Sequence, residues 1–303
     1  MMNLFKKKKI LVTHGGGFHA DDLFVTSALY LLHKGRVKIK RIKRGMPVNE
    51  ADYVYDIGGI YDPDNNRFDH HQKGAPVREN GIPYSSFGLI WKHYGPLICG
   101  GDEAVVERID KRIVVPIDAG DNGVQIWKPV FDGYKPYLLS DYLMAENPTW
   151  LENNQNTDKI FNDLVKKTAK ILKREIIVAR DDVVAEKIIK EAYEGAQDKR
   201  VIFLEQSLPR YLYQDVLSSF KEPLFVIMPT SDKKWKAEAI RKDNFSLESR
   251  KLFPVDWRGV LDQNELEKLT GAKGVIFCHT SGFVSFCLTK EGAISLVQKT
   301  LEE

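Results

Sequence analysis

The sequence predicts an α/β protein of two domains. Residues 1–195 should form an N-terminal domain with a mainly parallel sheet flanked by helices, ending in a long connecting helix. Residues 196–303 should form a smaller α+β domain. Three observations predict this. Strand, helix, strand and strand follow one another from Lys9 to Ile57; acids and imidazoles fall at the strand ends; and after Gly195 the pattern turns to short strands, two of them joined as a hairpin. With 303 residues, 43% of them hydrophobic, the chain can bury two modest cores.

Lys9 to Thr13 reads as a first strand, short and apolar, running out at His14 and Gly15 to Gly17. Asp21 and Asp22 open the apolar run Leu23 to Leu32, closed by Gly35, which predicts a buried helix with acids in its first turn. Val37 to Ile42 alternates as a second strand and Tyr53 to Ile57 is a third. The turn-rich Asp62-Pro63-Asp64-Asn65-Asn66 then folds the chain back. A helix is expected over Phe87 to Gly95, capped by Tyr84 to Ser86, and another over Glu103 to Val115, with Pro116 to Gly123 as a loop. Asn147 to Trp150 and Glu152 to Asp158 read as loop. One long or broken helix should run from Lys159 to about Ala196. Beyond it, Val201–Leu204, Leu224–Met228, Trp235–Ile240 and Val275–Cys278 read as strands, and Ala293–Leu301 as a closing helix.

Composition narrows the function. Lys plus Arg (45) nearly balances Asp plus Glu (42), so any phosphate-seeking surface must be local. The lysines from Lys6 to Lys9 read as a solvated strand flank. Cys99, Cys278 and Cys287 are odd in number and lack C-x-x-C spacing, which argues against a disulfide framework or zinc knot and for a reducing interior. No apolar run reaches signal-peptide or membrane-span length, so a soluble, cytoplasmic protein without a membrane partner is expected. Oligomeric state is left open, a homodimer included.

Four of the seven histidines lie in two short stretches, His14 to Asp22 and Asp69-His70-His71. Between them, Asp56 follows Tyr53-Val54-Tyr55 and should leave a strand end with its carboxylate aimed at a crevice. Neutral imidazole with carboxylate suits Mn(II) and also admits Mg, Zn, Fe or Co. Six or seven such ligands exceed the needs of one tetrahedral ion, whereas two ions about 3.5–4 Å apart would use them all and activate a water for displacement at phosphorus. Asp56 is the expected bridge, with His14 and His19 on one ion and Asp21, His70 and Asp118 on the other. Asp121 competes with Asp118 for the last place. His71 should face substrate as a general acid or phosphoryl contact, and Asp69 should orient its neighbours from behind. Asp22 reads as a helix N-terminal charge; His33 and His93 read as structural. In the second half, Arg241, Arg258 and the stretch His279-Thr280-Ser281-Gly282 are the groups expected to contact phosphate, Arg because its planar fork donates two parallel hydrogen bonds.

With these residues in place the chain resembles the DHH phosphoesterase superfamily, through Asp69-His70-His71, Asp56 and the upstream His14, His19 and Asp21. Its resemblance is closer to the exonuclease family named after the melanocyte proliferating gene, formerly grouped as metal-dependent protein hydrolases. That rests on Thr13 to Asp21, Phe68 to His71, Ile117-Asp118-Ala119, Phe253-Pro254 with Trp257-Arg258-Gly259, and His279 to Phe283. The resemblance implies metals on the N-terminal domain with the C-terminal domain closing over them. It also implies Mn-dependent phosphodiester hydrolysis, 3′ to 5′ on RNA, and ligand roles for His14, His19, Asp21, Asp56, His70 and Asp118. Two departures stand out: the superfamily usually has Asp where His19 stands, and His279-Thr280-Ser281-Gly282 replaces its glycine-rich substrate motif. The expected function is therefore a two-metal exonuclease on RNA or short oligonucleotides. The alternatives are a hydrolase of a small phosphate compound such as pyrophosphate or a nucleotide, and a metal-stabilised RNA-binding module without turnover.

Overall fold

The computed structural model describes residues 7–152 and 156–303; Lys6 of the lysine run and residues 153–155 of the expected loop lie outside them. The chain is α/β, and its contacts divide it into Met1–Arg180 and Asp181–Glu303.

In the first unit, β1 (Lys9–His14), α1 (Ala20–Leu32), β2 (Val37–Ile42) and β3 (Tyr53–Tyr55) follow the expected order, and a short hairpin adds β4 (Tyr61–Asp62) and β5 (Arg67–Phe68). The sheet order is β2-β1-β3-β5-β4, parallel except for β4 at one edge. β2 leaves β1 on one side and β3 joins it on the other, so the order reverses between β1 and β3. In an open parallel sheet that crevice, at the carboxyl ends of the strands, is where ligands bind. Register lines up the site as well. Leu11 pairs with Tyr53 and Val54 with Arg67, which carries His14, Asp56 and Asp69 to the same level at the ends of three neighbouring strands.

Helix α1 is buried on most of its surface, Leu23, Phe24, Val25, Ala28 and Leu29 being wholly inaccessible, because it lies under α2 (Ser86–Cys99). The Phe24 and Phe87 rings meet at 5.1 Å between these two helices. Helix α2 runs past Gly95, where it was expected to stop. Gly95 instead lets Trp91 lie close to the backbone, and the helix ends at Gly100 in the left-handed region. The segment 103–121 is also longer than expected. Helix α3 (Glu103–Ile109), a π-type turn Asp110–Val114 and α4 (Val115–Asp121) form one run, so the residues read as a loop from Pro116 are helical as far as Asp121. Pro116 lies inside this run just after the π-type turn, where its lack of an N–H removes a bond from the helical ladder.

After α5 (Leu139–Met144) comes α6 (Thr157–Gly195), unbroken over 39 residues. The change of pattern after Gly195 marks the expected domain boundary, and the contacts divide the chain within this helix, between Arg180 and Asp181. Its Ala185 and Ile189 pack into the second unit's core, with Leu212, Tyr213 and Leu217 of α7 (Arg210–Ser218). The second unit's sheet runs β6-β7-β8-β10-β9, from β6 (Val201–Phe203), β7 (Phe225–Pro229), β8 (Trp235–Ala239), β9 (Val275–Cys278) and β10 (Val284–Cys287). Only β6 and β7 are parallel. Its other face packs on α8 (Gln263–Thr270) and α9 (Lys290–Glu302) through Leu266, Leu296 and Val297. Helices α5, α7 and α8 and strand β10 escaped the sequence reading; each spans fewer than ten residues, too few for periodicity to register. Cys99, Cys278 and Cys287 are free and buried. Among the described residues no helix is long and apolar enough to cross a membrane.

Leu23→Ala is expected to destabilise the protein by about 2–5 kcal/mol, because the leucine side chain is wholly inaccessible and truncation leaves a cavity that solvent cannot fill. Urea unfolding followed by circular dichroism measures it, and a loss under about 1 kcal/mol would contradict the packing described.

Candidate metal centre

Three groups of side chains could each hold a metal ion: His14, His19 and Asp56; Asp21, His70 and Asp121; and Asp56, Asp69, His70 and His71, with the ligand atoms of each within 4.8 Å of one another. Asp56 and His70 belong to two groups each, so the three form one continuous site.

His14 comes off the end of β1, and its Nδ1 lies 3.2 Å from Gly15 O, which leaves Nε2 for the site. Nε2 lies 3.1 Å from Asp56 Oδ2 and 3.4 Å from Asp22 Oδ2. Asp56 stands just past β3 with φ of +54°, a left-handed conformation that Asp tolerates better than most residues. Its N–H donates to Ser86 Oγ at 3.0 Å. Asp21 and Asp22 open α1. Asp21 Oδ1 accepts from Phe87 N–H at 2.6 Å and from Ser85 Oγ at 2.5 Å, both at the N-terminus of α2. Asp22 Oδ1 accepts from His19 N–H at 2.8 Å. His70 Nε2 lies 3.0 Å from Asp121 Oδ2 while its Nδ1 lies 3.1 Å from Ser86 Oγ. His19 is half exposed, with Nδ1 3.9 Å from Asp121 Oδ1.

Asp69 is bound on both oxygens. Oδ1 accepts from the His70 and His71 N–H groups and lies 2.7 Å from His71 Nδ1, and Oδ2 accepts from Gly59 N–H at 2.6 Å. Burial works against its charge, but His71 and these N–H groups outweigh burial and hold its pKa below the usual carboxylate value. With Nδ1 fixed by Asp69, His71 keeps its other nitrogen for solvent or substrate, and its side chain is 42% exposed.

Asp118 is brought near this site but not into any of the three groups. Its Oδ1 accepts from Gly88 N–H at 3.0 Å and sits 2.5 Å from Ser85 Oγ, and its Oδ2 accepts from Arg78 Nη2 at 2.6 Å. Asp121, one helical turn later, reaches His70 and Asp21. Gly88 is required here, since a Cβ on it would fall 2.0 Å from Asp118 Oδ2. Arg78, Ser85 and Ser86 were not singled out by sequence reasoning. Arg78 comes from an irregular loop, bridges Asp118 and Asp110, and lies 4.1 Å over the Tyr84 ring. No local motif signals such contacts; the serines' place before an apolar helix was the one available hint.

The predicted residues of the second unit serve structural contacts there. Arg258 donates from Nε and Nη2 to Phe253 O at 2.8 and 2.5 Å, and its guanidinium lies against Gly282 so closely that a Cβ on Gly282 would fall 2.4 Å from Nε. His279 to Gly282 form the turn between β9 and β10, with Ser281 N–H donating to His279 Nδ1 at 3.0 Å. Arg241 pairs with Asp215 at 2.8 Å.

Electrostatics at the centre fit a cation. Asp22 is pushed up to about 7 by burial, with His14 opposing and Asp56 adding. Burial, then Asp121 and Asp56, raises Asp21 well above the usual carboxylate value. Burial pushes Asp118 up to about 6, restrained by Ser85 and Arg78. Burial would lower both His14 and His70, but Asp56 and Asp22 raise the first and Asp121 the second. Four buried atoms, His14 Nε2, Asp21 Oδ2, Asp22 Oδ2 and Asp56 Oδ2, lack a well-formed hydrogen bond, His14 Nε2 having only its close approach to Asp56 and Asp22, a costly arrangement for polar groups out of water. Mixed nitrogen and oxygen donors crowded in this way suit a divalent first-row metal, whose charge removes the repulsion.

The chain matches known proteins over nearly all its length. A family model, MYG1_exonuc, described as an uncharacterised protein family (UPF0160), matches residues 10–301. The MYG1 exonuclease of Bos taurus is 31% identical over 326 residues, covering 96% of this chain and 84% of its own. The MYG1 exonuclease of Homo sapiens is 29% identical over 327 residues, covering 96% and 85%. The MYG1 protein of Dictyostelium discoideum is 27% identical over 326 residues, covering 97% and 96%.

The raised pKa values of Asp21, Asp22, His14 and His70 mean that protons compete with metal near neutrality. Mn(II) affinity should therefore climb as the pH rises over a range that spans the Asp22 value of about 7, and binding should release protons. Titration calorimetry in buffers of different ionisation enthalpy reads both effects. Affinity independent of pH over that range would rule out Asp21, His14 and His70 as ligands.

Proposed function

The chain belongs to the MYG1 exonuclease family, and from that premise we propose that it is a metal-dependent exonuclease that removes nucleotides from the 3′ end of RNA or short oligonucleotides. We infer further that it is a DHH phosphoesterase, through Asp56 and Asp69-His70-His71. The observation that carries the reading is the meeting of His14, His19, Asp56, Asp21, His70 and Asp121 beyond the carboxyl ends of β1 and β3.

These side chains would hold two divalent cations, Mn(II) by preference, His14, His19 and Asp56 taking one and Asp21, His70 and Asp121 the other. Bound there, the cations supply an activated water and charge stabilisation at phosphorus. The protein's own groups do the rest. Ser86 Oγ beside His70 Nδ1 holds that ring with Nε2 toward the site. Asp69 fixes His71 through Nδ1, leaving Nε2 to donate a proton to the departing oxygen or to a phosphoryl oxygen. A small phosphate compound is the second reading, favoured by the near balance of 45 basic and 42 acidic residues, because long nucleic acid usually meets a basic stripe.

Asp56→Asn keeps a residue that accepts positive φ, so the fold should persist by circular dichroism while turnover of a 3′-labelled oligoribonucleotide falls by about a thousandfold or more. Metal content by plasma emission should fall with it. Undiminished turnover would refute the metal mechanism. A steep loss of wild-type turnover with salt marks a polymer substrate, and a flat profile marks the small one.

A further inference from the structure

Between the metal centre and helix α6 the chain exposes an unusual amount of large apolar surface. Val130, Phe131, Tyr134, Tyr137 and Trp150 are between 70% and 90% exposed, although soluble proteins seldom leave such side chains together in water. Both ends of this segment are tied to the centre. It leaves α4 just after Asp121, with Val124 N–H donating to Ala119 O at 2.7 Å. It returns at Asn147, whose side-chain amide accepts from Phe18 N–H at 3.1 Å and donates to Phe18 O at 2.9 Å, one residue before His19. Within it an aromatic-lysine-proline triplet occurs twice, as Trp127-Lys128-Pro129 and Tyr134-Lys135-Pro136. Each proline holds the preceding lysine in extended backbone, so ring and cation recur along a strap that stays non-helical until α5 begins at Leu139. Trp127 and Lys128 also line an open hollow of about 230 Å³ with Gln125 and Ile126.

We propose that this strap, residues 124–151, is a stacking platform for single-stranded nucleic acid, holding the nucleotides behind the one being removed. The proposal rests on the exonuclease reading above. Lys128 and Lys135 are outnumbered by Asp132, Asp141 and Glu146, and Lys135 lies 4.0 Å from Asp141. Attraction to phosphate is therefore weak, and the ring faces carry the contact. Stacking accepts any base, so the strap favours length over sequence.

The test compares wild type with Phe131→Ala/Tyr134→Ala/Tyr137→Ala, whose side chains bury too little to support the fold. Binding of a labelled ten-nucleotide RNA is read by fluorescence anisotropy in EDTA, and hydrolysis of a dinucleotide and of the ten-mer is read in Mn(II). The variant should bind the ten-mer about tenfold to a hundredfold more weakly and show the same rise in its KM, with dinucleotide hydrolysis unchanged and little added salt dependence. Equal binding by variant and wild type would overturn the proposal. So would a wild type that does not bind the ten-mer; dinucleotide hydrolysis then shows whether the exonuclease reading survives on its own. A wild-type dimer in sedimentation that the substitutions split, with RNA binding intact, would assign the strap to a second copy and also overturn it.

Discussion

Carboxylates gathered in a place with little water set the terms for the first unit. Asp21, Asp22, Asp56 and Asp118 are all nearly inaccessible, and four such groups cannot be charged together without compensation. Part of the compensation is built in. The N-terminus of α2 offers Phe87 and Gly88 N–H to Asp21 and Asp118, where the helix dipole also favours negative charge, and Arg78 closes on Asp118. Ser85 shows where that supply ends. Its hydroxyl lies 2.5 Å from an oxygen of Asp21 and 2.5 Å from one of Asp118, but it has one proton to donate. The second short contact requires a proton on a carboxyl, in keeping with the raised pKa of both acids.

The hydrogen bonds divide the acids into two kinds. Asp21 and Asp22 each have one oxygen anchored to backbone N–H and one that makes no hydrogen bond, that of Asp22 lying 3.4 Å from His14 Nε2. Asp69 and Asp118 have both oxygens engaged in hydrogen bonds. The histidines divide by ring nitrogen. His14 and His70 have Nδ1 beside a fixed oxygen and Nε2 turned to the acids, whereas His71 has Nδ1 on Asp69 and the rest of its ring toward solvent. Such outer contacts fix tautomer and orientation before any ion arrives.

The parts of this site that depend on local pattern were legible in the sequence. His14 and Asp56 end apolar runs, and Asp21 opens a helix, so strand order alone brings them together. Asp118 against Asp121 was not legible, because the two are a turn apart on one helix and the difference lies in Arg78, forty residues before Asp118 in sequence. In the second unit, Arg258 and Gly282 carry the expected residue types for phosphate, and their contacts within the unit, to a backbone carbonyl and in a tight turn, are ones no residue type announces. Residue type announces what a side chain can do; its partner, often distant in sequence, decides what it does.

Asp56 shows the cost of this arrangement. Register places it level with His14 and Asp69, but a residue continuing the strand would keep its side chain within the sheet's alternation. A positive φ breaks that alternation at a cost of about 1–3 kcal/mol for a residue other than glycine. After Ile57, Gly58 and Gly59 also take positive φ, without such a cost, and Gly59 N–H reaches Asp69. The chain therefore turns where the carboxylate must face both His14 and His71, 3.1 and 3.7 Å away. Strain of that size persists only where surrounding bonds enforce it, and Ser86 Oγ and Phe68 O, both accepting from Asp56 N–H, supply the enforcement. The same serine that steadies His70 thus steadies Asp56, so the residues shared among the three groups are held by one hydroxyl at the start of α2.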